Sequence, residues 1–96
     1  MRYSQDTERY IKILNTALIP LINFDSVNYL QEPATGAEIV KVQDTLGNSH
    51  FIDVTGFDLE RILLDVFAVA IGNSPKSVIK DVNKRRKYAA LFTEAK

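Results

Sequence analysis

The stretch Leu59 to Ile71, LERILLDVFAVAI, restricts the fold more than any other part of the chain. From Ile62 to Ile71 every residue except Asp65 is apolar. At about 100° per residue, Asp58, Arg61 and Asp65 fall on one narrow strip, and most of the circumference is apolar. A helix that is hydrophobic nearly all round is buried on several sides. The run is about ten residues long, against about twenty needed to cross a bilayer. It is therefore expected to be the central core helix of a small domain, with Asp58, Arg61 and Asp65 forming an ion-pair ladder on its exposed strip.

A chain of 96 residues reads as a single domain, 1–96. With 46% apolar and 25% charged residues it falls among globular chains and not disordered ones. The chain has no cysteine, which excludes disulfides and thiolate metal sites and fits a reducing compartment. The N-terminal MRYSQDTERY has no apolar core of a secretion signal, so the expected location is cytoplasmic. The net charge is zero, but it is unevenly placed. Residues 1–73 hold five Lys/Arg against ten Asp/Glu, net −5, and residues 74–96 hold seven against two, net +5. A basic tail on an acidic body suggests either a polyanion contact or a basic segment lying across the acidic body.

The first helix is expected to start near Ser4 or Asp6 and to end or kink near Ala17–Ile19, because Pro20 clashes with the carbonyl of Thr16. Tyr10, Leu14, Ala17, Leu18 and Leu21 share one helical face, widened by Ile11, Ile13, Ile19 and Ile22. Asn23 to Ser26 reads as the exit loop, and Val27 to Gln31 as a short edge strand. Glu32-Pro33-Ala34-Thr35-Gly36 is a turn. Glu38–Asp44 and His50–Thr55 alternate in polarity around a Gly-containing loop, which predicts a β-hairpin. Val40 and Val42 share one face with His50, Ile52 and Val54, and Lys41, Gln43, Phe51 and Asp53 share the other. Thr55 or Asp58 can cap the central helix, and Gly72 can end it. Ser74 and Pro75 open a last helix running toward Thr93. The expected fold is α+β. A small antiparallel sheet, the hairpin plus a third strand, packs with three helices in the order α-(β)-β-β-α-α, as two layers.

No residue pattern carries catalytic chemistry. His50 is the only histidine, so no His-based metal spacing exists, and it reads as a strand-end residue beside the hairpin loop. Leu46-Gly47-Asn48 lacks the Lys-Ser/Thr of a phosphate loop and reads as a turn. On the last helix Lys76, Lys80, Lys84 and Lys87 fall within about 80° of one another. With Arg85 and Arg86 they are the candidate nucleic-acid contacts, or else a solvated helix face. Phe51 and Tyr29 are expected on the outer face of the sheet, open to a partner unless the first helix covers them.

The segment Ala37 to Ile71 joins a V-x-D-x-x-G-N hairpin turn (Val42 to Asn48) directly to an amphipathic helix. In this it resembles small proteins of Gram-positive phages and mobile elements. In its order of elements it is similar to a type II anti-CRISPR family of α-β-β-β-α-α build, which blocks its nuclease by mimicking DNA with acidic residues. The resemblance covers about a third of the chain. It implies a partner-facing role for Asp44, Asp53, Asp58, Glu60 and Asp65. The double-stranded RNA-binding domain shares part of this order, but Asp58 and Glu60 stand where its lysine cluster would fall.

The expectation is a small non-enzymatic binding protein acting by protein–protein contact, an inhibitor carried by a phage or mobile element. Its contact residues would be Asp44, Asp53, Asp58, Glu60, Asp65 and Phe51, with no cofactor, no metal and no membrane partner. The alternative is a nucleic-acid-binding protein that uses Lys76, Lys80, Lys84, Arg85, Arg86 and Lys87. Homodimerisation through the sheet edge or the apolar first helix is compatible with either.

Overall fold

The structure, a computed structural model, describes residues 4–18 and 24–94. Helix α1 spans Ser4–Leu18. Its buried line is Thr7, Ile11, Leu14 and Leu18, so the face is turned away from Ala17 and Ile13, which are exposed. The expected contributions of Ile19, Leu21 and Ile22 lie outside the described residues, as does Pro20.

Strand β1 (Phe24–Gln31) is longer than the expected 27–31, because Phe24 to Ser26 is strand and not exit loop. A register shift between Phe24 and Ser26, opposite Asp44 and Gln43, absorbs the irregularity. Strands β2 (Glu38–Asp44) and β3 (Ser49–Asp53) form the predicted hairpin. The sheet is antiparallel throughout, in the order β1-β2-β3. At the hairpin turn the Asp44 carboxylate accepts hydrogen bonds from the N–H groups of Leu46 and Asn48, both at 2.9 Å. Gly47 supplies the positive φ of 88° that the turn requires.

Helix α2 (Leu59–Ala70) and helix α3 (Val82–Glu94) complete the order α-β-β-β-α-α, an α+β fold as expected. The helices, however, make three layers and not two. One face of the sheet (Val27, Val40, Val42, Ile52 and, just beyond β3, Val54) packs against Ile11, Leu14 and Leu18 of α1 and Ile62, Val66 and Val69 of α2. The opposite face contributes Ile39 and Phe51, which pack with Tyr88 and Phe92 of α3. Strands this short can bury both faces because Ile39-Val40 and Phe51-Ile52 put a large apolar residue on each side in turn.

This corrects the placement of the two aromatic residues. Tyr29 packs on the α1/α2 side, opposite Val40, and Phe51 lies on the α3 side opposite Lys41. The two rings do not share a face. Phe51 is 3% exposed, with its ring centroid 5.9 Å from that of Phe92, so it is core and not a partner-facing aromatic.

The segment before α3 is a second correction. Ser74 and Pro75 do not start the last helix. Residues 71–81 form an extended connector, and its Ser77–Ile79 portion pairs with β3: the Asp53 N–H donates to the Ser77 carbonyl at 3.0 Å, and the Ile79 N–H to the Phe51 carbonyl at 2.8 Å. Asp81 caps α3 instead, its carboxylate accepting from the Lys84 N–H at 3.0 Å. The connector thus covers the β3 edge. At the β1 edge Asn15 of α1 pairs with one residue: its side-chain amide donates to the Val27 carbonyl and accepts from the Val27 N–H. Unpaired strand edges are sites of unwanted pairing, and the connector removes one of the two edges of this sheet.

Candidate interaction face on the central helix

Helix α2 begins where the Asp58 carboxylate accepts a hydrogen bond from the Arg61 N–H at 2.8 Å, as an N-cap. It ends in a Schellman motif. The N–H of Gly72 donates to the Val69 carbonyl at 3.0 Å and that of Asn73 to the Ala68 carbonyl at 2.8 Å, with Gly72 at φ 94°. Between these stops the helix has two apolar faces. Ile62, Val66 and Val69 are buried in the sheet core, each contributing roughly 1.5–3 kcal/mol on the usual transfer scale.

The other face is open, and this overturns the reading of α2 as buried on several sides. Leu63 is 37%, Leu64 59%, Phe67 43% and Ile71 51% exposed. At helical spacing these four fall within about 100° of one another, opposite Ile62 and Val69. Helix α1 packs beside α2. The Tyr10 phenol is pushed up in pKa first by burial and then by the charge of Glu60. Ile13, one turn along α1 from Tyr10, is 59% exposed. Isolated exposed aliphatic side chains are ordinary, whereas here four large apolar side chains share one open helix face.

The polar strip of α2 behaves differently from the expected exposed ladder. Asp65 is only 6% exposed. It accepts from the Arg61 Nε at 3.3 Å, the predicted i,i+4 pair, and from the hydroxyl of Ser77. It therefore ties α2 to the connector. The Arg61 guanidinium also stacks over the Phe57 ring at 4.8 Å.

The five acidic residues assigned to a partner do not form one surface. Asp44 lies at the hairpin turn, and Asp53 pairs with Ile39 at the far end of β2, roughly 17 Å away at 3.3 Å per strand residue. Asp44, Asp53 and Asp58 accept local hydrogen bonds from turn or cap groups. Burial pushes the Asp44 carboxyl up in pKa, but the bonds from Asn48 and Leu46 and the charge of His50 outweigh it, and the group lies below its ordinary value. Asp65 is buried, and Glu60 is exposed beside the apolar face.

The basic residues are also redistributed. Lys76 and Lys80 lie in the connector, so the expected four-lysine helical row does not exist. Lys84, Arg85, Arg86 and Lys87 are on α3. Arg85 donates to the Ser49 carbonyl at 3.4 Å. Lys87 pairs with Glu32, at the start of the turn between β1 and β2. Glu32 is buried, and its carboxylate also accepts from the Thr35 hydroxyl at 2.7 Å and the Tyr88 hydroxyl at 3.3 Å. Hydrogen bonds from Lys87 and Thr35 hold its carboxyl below the usual range. No local signal marks Glu32, because its partners on α3 are more than fifty residues away in sequence.

What the connector does bring together is Lys76, Lys80, Lys84 and Arg61, which line one shallow groove of about 570 Å³ with Asp53 and Asp81. At the opposite end of the sheet His50 lines a groove of about 720 Å³ with Phe24, Val42, Val69 and Ile71. Its Nε2 stands 3.8 Å from the Asp44 carboxylate. Among the described residues, no three His, Asp or Glu side chains come together as a metal site. No helix among them is long and apolar enough to cross a membrane. No protein-family model, curated protein or solved structure matches the chain.

Proposed function

We propose that the chain is a non-enzymatic binding module that works by protein–protein contact, with the outer face of α2 as its docking surface. The observation that carries this reading is the open apolar group Leu63, Leu64, Phe67 and Ile71, backed by a second apolar face that already satisfies the core. Interface centres are apolar and aromatic-rich with a polar rim, and here Phe67 sits among aliphatic residues with Glu60 and Asn73 at the two ends. Inhibition of a host defence protein, the role implied by the anti-CRISPR resemblance, belongs to this reading. On this fold such a role would rest on the apolar face and not on a continuous acidic surface. A photo-crosslinking amino acid placed at Leu64 or Phe67 is expected to give a protein adduct in cells, and one at Thr16, on the exposed side of α1, none. Equal adducts from all three positions, or none from α2, would remove the proposal.

A second reading is favoured by the cationic groove. Lys76, Lys80 and Lys84 converge there with Arg61 although they are not on one helix face. Nucleic-acid binding through it would weaken steeply with salt and fall in a Lys80→Glu, Lys84→Glu variant, as read by fluorescence anisotropy on labelled duplex and single strands. Absence of binding at low salt would leave these lysines as a solvated surface.

A further inference from the structure

We infer that the occupant of the outer face of α2 is a second copy of this chain, packed antiparallel about a two-fold axis near Phe67; this rests on the protein-contact reading above. A two-fold interface must be complementary to itself, because residue i meets j and j meets i. The α2 face meets that condition. Leu63 and Leu64 lie one turn before Phe67, and Ile71 lies one turn after it. An axis at Phe67 sets the two Phe67 rings against each other, and each Ile71 against Leu63 and Leu64 of the other copy.

Charge selects the antiparallel orientation. The N-terminal end of the face carries Glu60, and the C-terminal end leads into the neutral residues Asn73 and Ser74. Antiparallel packing places Glu60 against the neutral end. Parallel packing would set Glu60 against Glu60, and like charges at close range oppose association. The whole chain has a net charge of zero, so no long-range repulsion keeps two copies apart.

The size of the face also fits a pair. With a large apolar side chain presenting about 150–250 Å² when fully open, the four α2 residues offer roughly 350 Å² of apolar surface per copy. A standard interface buries about 1,600 Å² in total, a little over half of it apolar, so two such faces supply most of the apolar area required. Interfaces of that size span micromolar to picomolar affinity, and the weak end suits a face with one aromatic anchor.

The test uses the absence of cysteine from the chain. Sedimentation of the purified protein from about 1 µM to about 100 µM should show a monomer–dimer equilibrium. Phe67→Glu should weaken it at least tenfold, while the circular dichroism spectrum stays as in the parent. Under mild oxidation a single Phe67→Cys substitution should link two copies through a disulfide. Glu60→Cys should not, since the two sites would lie roughly 20 Å apart at 1.5 Å rise per residue. A monomer across the whole concentration range overturns the second-copy inference. Equal linkage through both cysteines overturns the antiparallel arrangement. Neither result removes the protein-contact reading, which stands if the photo-crosslinks from Leu64 and Phe67 have the mass of a different protein and falls if no adduct forms at all.

Discussion

At the residue scale, Glu32 decides most. Its carboxylate is buried and joins the β1–β2 turn to α3 through Lys87 and Tyr88. Because its folded-state pKa is depressed, its contribution to stability is fully present above the ordinary carboxylate value of about 4.3. That contribution is lost as the pH falls through the lowered folded value. Denaturant unfolding of a Glu32→Gln variant should therefore show lower stability than the parent at neutral pH, with the gap closing toward pH 3. A gap that stays constant with pH would mean that the charge of Glu32 is not what holds α3. Nothing in the sequence around Glu32 separates it from an ordinary turn acid before a proline. Asn15 is similar: a polar residue on an amphipathic helix reads as solvated, yet its amide pairs with Val27 at the edge of β1.

At the scale of elements, the hairpin and the order of helices were legible because alternation and helical spacing are local properties of the chain. The failures came where a neighbour decides. Apolar residues around α2 say that both faces avoid water, but they do not say whether this chain or another covers the second face. Ser74-Pro75 is a good local helix start, whereas the pairing of residues 77–79 with β3 that displaces it is a tertiary event. The β-branched pair Val78-Ile79 and the cap-forming Asp81 were the available signals. The two faces of α2 separate in a direct measurement. Ile62→Ala should cost about 2–5 kcal/mol in denaturant unfolding, since it empties a fully buried site. Leu64→Ala, two residues on, should stay within about 0.5 kcal/mol for the monomer. Comparable losses would place Leu64 in the core and remove the surface on which both proposals stand.

At the scale of the whole molecule, a three-layer arrangement on so small a sheet divides the protein into unequal halves. The α1/α2 side holds most of the core, and α3 is anchored chiefly by Tyr88 and Phe92 over Ile39 and Phe51. Phe92→Ala should therefore release α3 before the rest. Amide hydrogen exchange is expected to accelerate across residues 82–94 and to change little in α1 and α2. Uniform acceleration would instead show that the layers unfold as one unit. The position of α3 also has a consequence for synthesis. It leaves the ribosome after every other described element, at roughly 5–20 residues per second. Until it docks, Ile39 and Phe51 are bare on one side of a sheet whose other side can already pack. A chaperone that recognises apolar surface thus meets two targets on the nascent chain, and the one on α2 persists after folding.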